Sequence, residues 1–287
     1  MKKQFGITLI ELMISMMLGL GLVAGVGQLF VQSQKSFRLQ QNLSDMTDDA
    51  TFILESLAKG LLLAGYSDGG DTNFGSDTTA VLGSSPTLAF SNCYTDTATN
   101  VTRCEVIKGD DNSLIYRYRY GSNPYGSSTN SDTADSLNNF IGTSSLAGTA
   151  NKDDMVQVYI YKKDDTDGIP VLYCRVATYT PPATAPSSTP NAQPLISEVE
   201  NLVFKYGIHD KTTNTFYYTT ASNITDWTQV FAVKIFLVMR SADENLTHNQ
   251  TTYKIEGVAQ PLTALSDNKK RLYKVFSKTV FLRAIDH

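Results

Sequence analysis

The residues that invite a chemical reading lie close to the amino terminus: Gly6, Ile7, Thr8 and Glu11. From Ile7 to Val31, Glu11 is the only charge, in a run longer than the roughly 20 residues that a bilayer-spanning helix needs. An ionisable side chain at the centre of a bilayer costs on the order of 2.5–3.5 kcal/mol, so Glu11 either reaches water at the near end of the span or finds a cation. A cut after Gly6 would supply that cation. The new amine of Ile7 is protonated at neutral pH, with a reference pKa of about 7.7–8.0. An amine and a carboxylate so placed on one apolar helix can satisfy each other between neighbouring subunits.

The rest of the chain offers no comparable chemistry. The cysteines are Cys93, Cys104 and Cys174, with no CxxC pair of the kind zinc sites use. His209, His248 and His287 are widely separated, and no GxSxG, HExxH or GxxxxGK[ST] signature occurs. The acidic run Asp164-Asp165-Thr166-Asp167-Gly168 has Lys163 where a calcium loop would place its first ligand, and reads as a solvated turn. The expectation is a protein without catalytic residues, cofactor or metal.

The span that must position Glu11 is preceded by Lys2 and Lys3, which by the positive-inside rule leaves everything after Val31 on the far side of the membrane. No Ala-x-Ala follows the apolar run, so the segment is expected to stay with the mature chain rather than leave as a signal peptide. Beyond it Leu39, Leu43, Met46, Ala50, Ile53, Leu57, Leu61 and Ala64 recur every three or four residues, a helical stripe. One helix from Ile7 to Ala64 would be about 87 Å long at 1.5 Å per residue, ending before Gly65, where a left-handed cap is common. Gly19, Gly21, Gly25 and Gly27 weaken its membrane half.

After Gly65 the period becomes two. In Leu114-Ile115-Tyr116-Arg117-Tyr118-Arg119-Tyr120 the leucine and tyrosines share one face and the arginines the other, which predicts a half-buried strand with Arg117 and Arg119 on a solvated face. Further strands are expected at Met155–Tyr161, Val171–Tyr179, Val199–Tyr206, Val230–Met239 and Leu272–Leu282, the nearly all-apolar Val230–Met239 lying centrally. Ser122–Asn151 and the proline-rich Ala177–Pro194 read as loops. The predicted architecture is α+β: residues 7–31 a transmembrane helix, 32–66 its amphipathic continuation, and 67–287 one β-rich antiparallel head with long loops at 122–151 and 177–194. With 24 Lys plus Arg against 28 Asp plus Glu the chain is mildly acidic, which argues against a general nucleic-acid binder. In an oxidising compartment Cys93 and Cys104 are a candidate disulfide worth roughly 3 kcal/mol. Pairings with Cys174 stay open, although its strand pattern favours a buried thiol.

Lys2-Lys3-Gln4-Phe5-Gly6 followed by Ile7-Thr8-Leu9-Ile10-Glu11-Leu12 resembles the class III leader of type IV prepilins and type II secretion pseudopilins. Four further patches resemble PilW-type minor pilins in their order along the chain: Leu61-Leu62-Leu63-Ala64-Gly65-Tyr66, then Ile196 to Leu202 with Lys205-Tyr206-Gly207, then Val233 to Ser241, then Arg271 to Phe276 with Val280 to Arg283. Most members begin the mature chain with Phe where this one has Ile7, and the cysteine often found after the Ala-Gly-Tyr patch is replaced by Ser67-Asp68-Gly69-Gly70. The resemblance implies cleavage of leader 1–6 after Gly6 by a prepilin peptidase and N-methylation of Ile7. It also implies assembly through Thr8 and Glu11, the latter paired with a neighbour's Ile7 amine. The partners implied are other minor pilins, the major pilin, the pilus assembly machinery and, for the precursor, the inner membrane. The function implied is priming or capping a type IV pilus from a tip position. The alternatives are a J-type pseudopilin of a secretion system and a signal-anchored periplasmic binding protein or adhesin.

Overall fold

The computed structural model describes residues 8–65, 93–96, 101–104, 106–119, 155–179, 192–210, 213–247, 250, 252–262 and 270–282. Helix α1 runs over Leu9–Leu61. The strands, in chain order, are β1 Cys93–Asp96, β2 Val101–Cys104, β3 Ile107–Gly109, β4 Ser113–Arg119, β5 Met155–Asp164, β6 Pro170–Tyr179, β7 Gln193–Ser197, β8 Val199–Asp210, β9 Thr215–Thr219, β10 Val230–Arg240, β11 Thr252–Ile255, β12 Val258–Pro261 and β13 Tyr273–Phe281. All ladders are antiparallel: a five-stranded sheet in the order β3-β4-β5-β6-β7, a four-stranded sheet β13-β10-β8-β9, and the two hairpins β1-β2 and β11-β12. This is the predicted α+β arrangement of one long apolar helix on a β-rich head.

The helix is one element with two environments. Its most apolar 18-residue window has no buried residue, and its length and composition suffice to cross a membrane. Its second half turns Met46, Ala50, Ile53, Leu57 and Leu61 into a core shared with Leu202, Phe204 and Tyr206 of β8, Val233, Ile235 and Leu237 of β10, and Leu114, Tyr116, Val158, Ile160 and Leu172 of the five-stranded sheet. The helix starts where the Thr8 carbonyl accepts from Glu11 and Leu12 N–H (3.1 and 3.3 Å), and Ile7, the predicted first residue, lies outside the described residues. It stops at Leu61, and residues 62–65 form a turn. Gly65 there adopts φ +75° and donates its N–H to the Arg117 carbonyl at 2.8 Å. The predicted left-handed glycine is present, and it also ties the end of the helix to β4.

Strand β10 is an inner strand of the four-stranded sheet, buried almost throughout, as its nearly all-apolar run requires. The two sheets are joined where Phe204 N–H meets the Asp111 carbonyl (3.1 Å) and Tyr206 Oη donates to the Asp110 carbonyl (3.2 Å). Two expectations need correction. Strand β4 is not half-buried: Ile115 is 3% and Arg117 0% exposed, and their cross-strand neighbours Tyr159 and Gln157 are 2% and 0% exposed. Alternation sorts side chains between faces correctly, but it cannot reveal that both faces are buried. The predicted loop Ala177–Pro194 is also shorter, since Ala177 belongs to β6 and Gln193 and Pro194 to β7. Pro194 is tolerated because β7 is an edge strand, where a missing N–H breaks no inner ladder. The interiors of both predicted loops lie outside the described residues.

Candidate assembly surface

The apolar half of α1 presents side chains outward all round. Leu9, Ile10, Met16, Leu20, Leu22, Leu29 and Phe30 are each 65% or more exposed. A side chain built at Gly19, Gly21, Gly25 or Gly27 would meet nothing within 4 Å in the chain itself, so these glycines leave room outside the molecule rather than within it. Such an area has no place in water; it requires lipid or other apolar helices. Glu11 stands in the first turn of this surface, fully outward, with no side-chain partner among the described residues. Ser15 Oγ donates to the Glu11 carbonyl (2.8 Å), which satisfies the hydroxyl within the helix and leaves the carboxylate free. Gly6 and Ile7, the expected processing residues, lie outside the described residues.

The head grips the second half of the helix through polar ties along one flank. Asn42 donates to Asp243 Oδ2 (3.1 Å) and its Oδ1 accepts from Asp243 N–H (3.2 Å). Further along, Lys274 reaches Thr47 Oγ1 at 3.5 Å and Lys278 pairs with Glu55. Both lysines belong to β13, the strand alongside the helix. Sequence reading missed these ties, because nothing local links residues some two hundred positions apart. The spacing of Lys274 and Lys278 on a predicted strand facing an acidic helix residue was the available signal.

Behind Asn42 an ion network holds the junction. Arg240 Nε meets Glu198 Oε2 at 2.5 Å and its Nη1 lies 3.8 Å from Glu200, which is only 4% exposed. Arg271 bridges Glu198 (3.9 Å) and Glu244 (3.2 Å) and donates to the carbonyls of Ser241 (2.6 Å) and Ala242 (2.5 Å). Glu198 takes φ +62° between β7 and β8, a left-handed conformation costly for a side chain other than Gly or Asn. The network that engages its carboxylate compensates that cost. Glu198, Arg240 and Arg271 come from three separate sequence patches that carry the minor-pilin resemblance, and the fold brings them to one point beneath the helix.

Of the cysteines, Cys93 and Cys104 are directly opposed Cα partners in the β1-β2 hairpin. Cys174 is a free thiol fully buried on the inner face of β6, and burial pushes its pKa up to about 12. The Asp164–Gly168 run is the turn between β5 and β6, with Asp165 Oδ1 accepting from Thr166 N–H (2.7 Å). Among the described residues no three His, Cys, Asp or Glu side chains are placed to hold a metal. His209 stacks on Phe216 (4.3 Å between centroids), while His248 and His287 lie outside the described residues.

Residues 157–284 match the family model described as PilW: Type IV Pilus-assembly protein W. No curated protein and no solved structure matches the chain. The match begins within β5 and takes in every later strand, including Glu198, Arg240 and Arg271, whereas α1 lies before it. Residues 157–284 of the chain are therefore similar to the type IV pilus-assembly protein W family.

Proposed function

We propose that this chain is a minor pilin. It inserts as a single-span precursor with its amino terminus in the cytoplasm and its head in the periplasm. Prepilin peptidase cleaves it after Gly6, Ile7 is N-methylated, and the mature chain joins other minor pilins in a complex that primes or caps a type IV pilus. Its role is structural. The observation that carries this reading is the continuity of α1: an unburied apolar helix and the helix locked to the PilW head are one element, so a subunit pulled by its helix carries its head rigidly along. A cleaved Ile7 amine satisfied by a neighbour's Glu11 would give that outward carboxylate its missing partner. A large head favours a low-copy position at the tip, and the opposed Cys93 and Cys104 form its disulfide after export.

The reading is tested by complementing a strain lacking this gene with the wild-type chain or with Glu11→Ala. The wild type restores surface pili. The variant is still shortened at Gly6 but fails to restore them. If loss of the gene leaves pili intact and abolishes type II secretion instead, the J-type pseudopilin reading replaces this one.

A further inference from the structure

The four-stranded sheet has one edge flanked by the helix and one that is open. Strand β13, first in the order, lies alongside α1, where Lys274 reaches Thr47 and Lys278 pairs with Glu55. Strand β9 is the other edge: it pairs with β8, and among the described residues no strand pairs with its outer side. Sheets commonly protect such an edge with charges, proline or a bulge. Thr215-Phe216-Tyr217-Tyr218-Thr219 has no charge and no proline, and its register with β8 is unbroken over all five residues. Aromatic side chains stand on both of its faces. Phe216 and Tyr218 share the face of His209, on which Phe216 stacks, and Tyr217 takes the opposite face. These three rings are 61%, 43% and 48% exposed. The place of β9 in the molecule is also defined. Since Lys274 lies by Thr47 and Lys278 by Glu55, β13 runs in the same direction as α1. Phe281, at the end of β13, is level across the sheet with Ala232, Gly207 and Tyr218. The open edge is therefore at the end of the sheet farthest from the membrane half of the helix.

We propose that β9 is a docking edge that takes an extended segment of a different protein as a fifth strand. A row of backbone N–H and C=O groups is satisfied along its length by another backbone, and strand addition supplies that pairing through the main chain. The chemistry of the added segment follows from what β9 presents. It carries apolar or aromatic side chains on both faces, one set meeting Phe216 and Tyr218 and the other Tyr217, the cross-strand pairs that stabilise a sheet. It is uncharged over these residues. Strand β9 itself offers no counter-charge, and Lys205 and Lys234, on the same sheet face as Phe216 and Tyr218, are both engaged by Glu256. A second copy of this chain does not fit an antiparallel pairing. Two β9 strands running in opposite directions would point their α1 helices in opposite directions, whereas helices inserted in one membrane share a direction. The proposal rests on the minor-pilin reading, which turns the open edge away from the membrane, and adds the surface by which a neighbouring protein is held there.

The test places the photo-crosslinking residue p-benzoylphenylalanine at position 217 or 218 of the full-length chain, in cells that make pili. Irradiation should join both positions to one polypeptide other than this chain. The attachment sites should fall within a single short segment of it, because neighbouring residues of β9 reach opposite faces of one added strand. A second arm adds Tyr217→Lys, which gives the edge the charge that protected edges carry, and the product from position 218 should then fall about tenfold or more. Tyr217→Thr, uncharged and suited to a strand, should keep it. Tyr217 is exposed, and unchanged Trp227 fluorescence through a denaturant titration confirms that the head of each variant is folded. Absence of a polypeptide product would overturn the proposal, as would a product with a second copy of the chain or attachment sites scattered over several segments. So would a folded Tyr217→Lys chain that crosslinks as well as wild type. Leader cleavage is read on the same samples. A chain cut after Gly6 that gives no β9 product removes this proposal and leaves the minor-pilin reading, whereas an uncut chain that gives the product removes that reading and leaves the docking edge.

Discussion

Cys174 shows what a single residue's surroundings decide. With its pKa near 12 the thiol holds almost no thiolate at neutral pH, and thiolate is the reactive form. Iodoacetamide should therefore label Cys174 only after denaturation; labelling of the native head at the rate of an open thiol would contradict its burial. Our proposal for Cys93 and Cys104 follows from register. Opposed residues of an antiparallel pair have Cα atoms about 4.5–5.5 Å apart, within the range a disulfide spans. Peptide mapping of the exported protein without reductant should recover the two joined, lighter by two hydrogens, and a Cys174 linkage would refute the pairing. At this scale the sequence was legible wherever alternation alone decides, as at Cys174. It was not legible at Arg117, which is buried although alternation assigns it to the polar face of β4. Nor was it at Glu198, whose partners Arg240 and Arg271 are close only after folding.

Among the elements, α1 carries the most energy. Leu57 is fully buried between the helix and both sheets, and Leu57→Ala should destabilise the head by about 2–5 kcal/mol. Trp227 is the chain's single tryptophan and is 6% exposed against Tyr206, so its fluorescence in a denaturant titration reads the change. The β11-β12 hairpin is held to the four-stranded sheet by apolar packing and by Glu256, which lies 2.5 Å from Lys234 and pairs with Lys205. Hydrogen bonds from Lys205 and then Lys234 hold the Glu256 carboxyl below its ordinary 4.5. Its contribution is therefore complete above that ordinary value and is lost as pH falls through the lowered folded one. Glu256→Gln should remove about 1 kcal/mol at pH 7 and flatten that part of the acid limb. An acid limb identical to wild type would assign the loss to other carboxylates. Long elements could be read from the chain because β4, β5, β6, β8, β10 and β13 sustain their patterns over seven or more residues. The short strands β3, β7, β9, β11 and β12 offer too few residues for a period to declare itself, and only their partners define them.

At the scale of the whole molecule, the described part of the head is packed on one flank of a helix whose apolar half is exposed. The head's grip is spread over Asn42, Thr47 and Glu55 as well as the core. Force applied to the helix is therefore borne by the head along much of its packed length. Arg240→Ala would strand the buried Glu200 and cost about 3–5 kcal/mol, and such a variant should reach the membrane but be lost to proteolysis, which immunoblotting of membrane fractions would show. The central claim is that the exposed helix is exposed because it is processed and assembled. The most direct test is the amino-terminal mass of the membrane-extracted protein from cells with and without prepilin peptidase. A terminal peptide beginning at methylated Ile7 only when the peptidase is present is the predicted result. An intact Met1–Gly6 leader in both would contradict it, leaving a membrane anchor and no pilin.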